Sequence, residues 1–144
     1  MKPLTFSLSI QAAAHRVWQT LWEDASFRNW SSLIDEGTYM QGDLRQGQEV
    51  QFLSSVNGYG VTALVEALVP DAFVQFRYQA DTQGGGQQTR ENQWTGGTEQ
   101  YILQEQKSGI LLTLKMDVPP DLIQTMQSRV PKALDRIKAL AERS

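Results

Sequence analysis

The segment that most restricts what this chain can fold into is its tail. DLIQTMQSRVPKALDRIKALAERS reads as one amphipathic helix, and it follows directly on a run of alternating-apolar strands. Leu122, Met126, Val130, Leu134, Ile137 and Ala141 recur at helical spacing and fall on one face. Gln124, Gln127, Ser128, Lys132, Asp135 and Lys138 lie largely elsewhere around the axis. About 23 residues from Asp121 would span roughly 35 Å, enough to cross a small sheet from end to end. A stripe of that length needs a sheet face to cover it, so the order predicts a sheet gripping a helix.

The rest of the chain supplies that sheet. Leu4, Phe6, Leu8 and Ile10 alternate with polar residues as a half-buried strand does. Ala14, Val17, Trp18, Leu21 and Trp22 then follow a helical period, and Asp24 or Ser26 is placed to cap a second short helix ending near Trp30. Strands are expected near Tyr39 and Met40, from Glu49 to Ser55 with Val50 and Phe52 inward, from Tyr59 to Val69, and from Phe73 to Gln79. Gly42 and Gly47 mark the turn between the first two of these, and Asn57-Gly58 predicts a tight type I′ hairpin before the third. Strands from Thr98 to Gln106 and from Gly109 to Val118 follow, joined at Lys107-Ser108. Between Ala80 and Gln93 the chain is polar and rich in Gly and Gln, the composition of a connection, and Asp81 to Asn92 is expected to be the least ordered internal segment. Gly96-Gly97 is placed to host a bulge that turns Trp94 and Tyr101 inward together.

At 144 residues the chain suits a single domain, 1–144, with a core large enough to need no staples. There is no Cys, so disulfides are impossible, and with one His a zinc site is improbable. The opening MKPLTFSLSI lacks the unbroken apolar stretch of a secretory signal, and no stretch approaches the length needed to span a bilayer; a cytoplasmic protein without membrane insertion is expected. A formal charge of -3 weighs against a nucleic-acid partner.

The order strand, two helices, meander of strands and long final helix resembles the START and polyketide-cyclase superfamily, also called SRPBCC or helix-grip proteins. The segment SIQAAAHRVWQTLWEDASFRNW is similar to that family's opening, with Val17, Trp18 and Trp30 at its characteristic positions. GDLRQGQEVQFLSSVNGYGVTALVEALVPDAFVQFRY is similar to its next block, a Gly-rich turn, a hairpin and a strand ended by Pro. Among the subgroups, the domains like the activator of the heat-shock-chaperone ATPase look nearest. The resemblance implies an α+β helix-grip fold: a curved antiparallel sheet of six to seven strands wrapped around the C-terminal helix, with two short helices after strand 1. It also implies a cavity between sheet and helix. The chain departs from many members in its last helix, where Val130-Pro131 stands in place of a Trp and Pro131 removes a helical hydrogen bond.

Motifs for chemistry are sparse. His15 tends toward the polar side of its helix with Arg16 and Gln19, which favours a solvated side chain over a catalytic base. Gly58-Tyr59-Gly60-Val61-Thr62-Ala63 matches a dinucleotide fingerprint as a string, but strand alternation follows the glycines where the fingerprint needs a helix. The carboxylates Asp35, Glu36, Asp43, Glu49, Glu66, Asp81, Glu91, Glu99 and Glu105 are scattered and read as solvated surface acids. No catalytic residue, metal or cofactor is expected. The aromatic and Met residues read either as plain core or as the wall of a pocket. Val61, Ala63, Val65 and Ala67, small and on one strand face, would leave volume opposite the helix. With the cavity that the resemblance implies, the candidate lining is Phe52, Val61, Ala63, Val65, Phe76, Tyr78, Trp94, Tyr101, Leu112, Leu114, Met126, Val130 and Leu134. Tyr78 and Tyr101 would orient a mostly apolar ligand through their hydroxyls. Three functions stay open: binding of a hydrophobic small molecule, lipid-like or polycyclic; a co-chaperone-like protein interaction; and a polyketide cyclase or aromatase reaction. A monomer or a homodimer suits each of them.

Overall fold

A computed structural model describes residues 1–83, 86–87 and 94–143. Strand β1 (Lys2–Ile10) leads into helices α1 (Ala14–Trp22) and α2 (Asp24–Ser31). The chain continues through β2 (Thr38–Gln41), β3 (Glu49–Ser54), β4 (Tyr59–Val69), β5 (Phe73–Gln83), the two-residue β6 (Gly86–Gln87), β7 (Thr98–Gln106) and β8 (Gly109–Val118). A short 3-10 turn, Pro120–Leu122, then opens the final helix α3 (Ile123–Ala141). The strands form one antiparallel sheet in the order β1-β8-β7-β5-β4-β3-β2, with β6 attached to β5. The sheet curls around α3, so the fold is the α+β helix grip that the element order predicts.

Alternation and register explain the core. Leu4, Phe6, Leu8 and Ile10 stand opposite Met116, Leu114, Leu112 and Ile110 across β1 and β8, each an apolar cross-strand pair on the inner face. Val74, Phe76 and Tyr78 on β5 and Tyr101 and Leu103 on β7 continue that face. Met126, Val130, Ala133, Leu134, Ile137 and Ala141 of α3 are buried against it. Arginines tie α3 to the helical layer: Arg129 Nη1 donates to the Ile34 carbonyl at 2.8 Å, Arg136 Nη1 to Asn29 Oδ1 at 2.6 Å, and Arg16 Nη2 to the Leu140 carbonyl at 2.9 Å. The helix continues unbroken through Pro131. The carbonyl deprived of its partner belongs to exposed Gln127, where water can take the bond.

The structure corrects several local expectations. The β3–β4 connection is the four-residue loop 55–58, with Gly58 alone at positive φ (77°) and its N–H on the Ser54 carbonyl at 2.7 Å. A type I′ turn needs positive φ at both central residues, and Asn57 instead uses its side chain to accept from the Tyr59 N–H at 2.9 Å. Neither Asp24 nor Ser26 caps α2; Glu23 holds the N-cap position without a side-chain bond, and Asp24 sits in the first turn, where its charge suits the helix dipole. Strand β5 runs to Gln83, four residues beyond Gln79, because Ala80 and Thr82 are buried and the Thr82 hydroxyl meets that of Thr62 at 2.6 Å. A bulge at Glu66 breaks the run from Val61 to Ala67: Val65 pairs with Phe76 and Ala67 with Gln75, so Leu68 rather than Ala67 packs on the core. The Glu66 carboxylate is held by Arg77, whose Nε and Nη2 donate at 2.6 and 3.0 Å, and by the Gln75 amide. Most of the connection expected to be least ordered lies outside the described residues.

Candidate functional site

A cavity of about 340 Å³ lies between the sheet, the end of α2 and the start of α3. Its wall is mainly aromatic. Helix α2 contributes Phe27 and Trp30, whose rings meet edge to face at 5.2 Å, and the Trp30 indole N–H is satisfied by the Leu21 carbonyl at 3.2 Å. Phe52 of β3 stacks on Phe27 at 5.9 Å, and Trp94 packs on the Tyr78 ring at 5.8 Å. Met116 of β8 and Leu122 and Met126 at the start of α3 complete the apolar part. The solvent-exposed lining residues Asp35 and Arg129 mark the mouth.

The floor is polar. Glu99 points inward from β7, between Phe76 of β5 and Met116 of β8 in the sheet register, and is only 8% exposed. Tyr78 Oη donates to Glu99 Oε1 and Tyr101 Oη to Glu99 Oε2, each at 2.9 Å. Burial raises the Glu99 pKa above the usual carboxylate value, and the two phenol bonds oppose that rise without cancelling it. Both phenols are pushed well above their ordinary value, first by burial and then by the neighbouring carboxylate charge. The chain thus keeps an acidic side chain inside an aromatic cavity, an arrangement that costs stability and that is characteristic of functional clefts.

Of the residues named from sequence, Phe52, Val61, Tyr78, Trp94, Tyr101 and Met126 border the cavity. Ala63, Val65, Phe76, Leu112, Leu114, Val130 and Leu134 lie in the packed core beside it. Glu99 is the opposite case: the expectation of a solvated acid fails, because it shares strand parity with Tyr101 and Leu103 and is buried with them. That parity was the available signal. The contribution of α2 and the following loop, through Phe27, Trp30, Ser31 and Ile34, was missed, although these residues stand at i, i+3, i+4 and i+7, the helical period that could have found them. His15 is solvated, with its side chain 69% exposed and Nδ1 3.1 Å from Asp71 Oδ1, away from the cavity. The dinucleotide-like glycines sit at the start of β4, with no helix after them. Among the described residues no group of His, Cys, Asp and Glu is arranged to hold a metal ion, and no helix is long and apolar enough to cross a membrane.

Two expected results follow from this geometry. His15→Ala should leave the melting temperature within the shift that corresponds to about 0.5 kcal/mol, since exposed pairs contribute little; a larger loss in a thermal melt would give His15 a structural role. Glu99→Gln should be more stable than wild type at neutral pH. The sign follows from a folded-state pKa above the unfolded one: the stabilising contribution of protonated Glu99 is fully present below the unfolded value and is lost as pH rises through the folded value. The advantage of Glu99→Gln should therefore grow from about pH 4, the ordinary carboxylate range, as pH rises towards neutrality. Glu66 and Glu142 have lowered pKa values and act below the ordinary carboxylate range, so they do not mimic this trend. Melts of both proteins across that range decide it; a pH-independent difference would mean that Glu99 does not titrate there.

No protein-family model matches the chain, and no curated protein matches it in sequence. Solved structures do match over its whole length. Protein MLL2253 from Mesorhizobium loti superposes with a TM-score of 0.76 at 11% identity, covering 99% of this chain and 98% of that one. The Aha1 dimer from Colwellia psychrerythraea gives 0.75 at 15% identity, covering 99% and 97%. DynU16, from the dynemicin biosynthetic locus, gives 0.71 at 12% identity, with 99% of this chain covering 48% of that protein. These likenesses establish the shared fold.

Proposed function

We propose that this protein is a cytoplasmic module, monomeric or homodimeric, that binds a hydrophobic small molecule in the cavity between the sheet and α3. The observation that carries this reading is the cavity itself: about 340 Å³, walled largely by aromatic and Met side chains, with a buried carboxylate at Glu99. Small-molecule sites have this composition, an apolar wall and a few placed polar groups that set orientation. A core optimised only for stability would have filled the volume and excluded the carboxylate. The residues we assign to ligand contact are Phe52, Val61, Tyr78, Trp94, Tyr101 and Met126, joined by Phe27, Trp30 and Glu99. The core residues Ala63, Val65, Phe76, Leu112, Leu114, Val130 and Leu134 shape the cavity from behind. A thermal-shift screen of apolar compounds tests the reading, because a ligand selective for the native state raises Tm with its concentration. A cavity that accepts none of them would overturn it.

A cyclase-type reaction is the second reading. It is favoured by the place of DynU16 in a biosynthetic locus and by Glu99, a buried carboxylate positioned to accept a proton from a bound substrate. Turnover of a polyketide-like substrate that vanishes in Glu99→Gln would move the protein to this class. The co-chaperone reading rests on the likeness to the Aha1 dimer alone and is tested by pull-down with a chaperone ATPase.

A further inference from the structure

The hydrogen bonds at the cavity floor run in one direction. Each tyrosine hydroxyl has a single hydrogen, and Tyr78 and Tyr101 both give theirs to Glu99. Only lone pairs remain on the two phenol oxygens. The carboxylate offers roughly four lone-pair sites, of which these bonds occupy two. The floor is therefore an acceptor-only surface in front of a ligand.

Charge points the same way. Among the described residues no cationic side chain bonds to Glu99; Arg77 is committed to Glu66, and Arg129 stands at the mouth with Nη1 on the Ile34 carbonyl. A buried carboxylate without a cation is the costly half of an ion pair. Tyr78, Tyr101, Trp94 and Trp30 line the same cavity, and the face of an aromatic ring attracts an ammonium group.

Resting on the small-molecule reading above, we propose that the ligand is a hydrophobic amine, whose protonated nitrogen is the counter-ion of Glu99 while its apolar body fills the aromatic cavity. The same surface rejects fatty acids and other carboxylates from the floor, because their oxygens would meet acceptors of like charge. Alcohols are tolerated through a single donated hydrogen.

Matched compounds test this. Phenylbutyl, naphthylethyl and decyl skeletons, each carrying an ammonium, hydroxyl or carboxylate head, are titrated calorimetrically into the wild-type protein and Glu99→Gln at neutral pH. For the skeleton that fits, the amine should bind about tenfold or more tighter than the alcohol, the scale of one hydrogen bond to a charged group, with the carboxylate weakest. In Glu99→Gln the amine should lose that advantage while the alcohol keeps most of its affinity; circular dichroism checks that the variant is folded. Equal binding of all three heads, or a preference for the carboxylate, overturns the amine assignment and leaves the cavity reading intact. Failure of every skeleton with every head overturns both.

Discussion

Ala63→Phe should destabilise the protein by about 3 kcal/mol, roughly 10 °C in Tm for a chain of this size, while Val61→Phe two residues earlier on the same strand should cost less than about 1 kcal/mol. Ala63 is fully buried, paired with Val50 on one side and Tyr78 on the other, in the close-packed part of the interior. A phenyl ring there must displace neighbours that have nowhere to go. Val61 borders the cavity opposite Phe52, so the added ring can enter empty volume and meet other rings. The stable variant should be the one that loses its ligand. Calorimetric melts and a ligand titration on both proteins separate the cases. Equal, large losses at the two positions would mean that the space beside Val61 is not available, and the binding reading would lose its physical basis.

A second large effect is expected at Gly60, where alanine should cost about 3 kcal/mol or more, as overpacking against rigid backbone does. A Cβ at this position would stand 1.8 Å from the Phe52 carbonyl oxygen and 2.8 Å from the Leu53 Cα. Neither atom belongs to a flexible side chain, so strands β3 and β4 must separate or slide. Both Gly60 and Phe52 border the cavity, and the substitution should therefore distort the site along with the hairpin. Urea unfolding, with amide exchange across Glu49–Val69, measures it. A loss below about 1 kcal/mol would show that the strands approach less closely than the structure has them. The result also gives this glycine a reason: it allows close strand contact, whereas in the dinucleotide fingerprint that the string Gly58 to Ala63 imitates, glycines admit a phosphate.

What the sequence by itself determined is the set of elements and the face each presents. Periods of two and of about four residues are local properties, because they record which side of a strand or helix meets apolar neighbours. The stripe of α3, the inward residues of β1, β5 and β8, and the order that makes a sheet close on a helix are all readable in this way. Parity groups Glu99 with Tyr101 and Leu103, but its charge argued for the surface and it was expected there.

Three things were decided only by tertiary structure. The Glu66 bulge reset the alternation of β4, and the groups that hold its carboxylate, Gln75 and Arg77, belong to another strand, which no window of β4 contains. The burial of Glu99 depended on two phenols arriving from β5 and β7 at bonding distance, one of them 21 residues away in sequence. The division of the inner face into filled core and open cavity was set by where the curled sheet and α3 diverge. Ala63 and Val61 share a face and a strand, yet one is packed and the other borders a void. Periodicity fixes direction, and distance to the opposing layer is a property of the assembled layers.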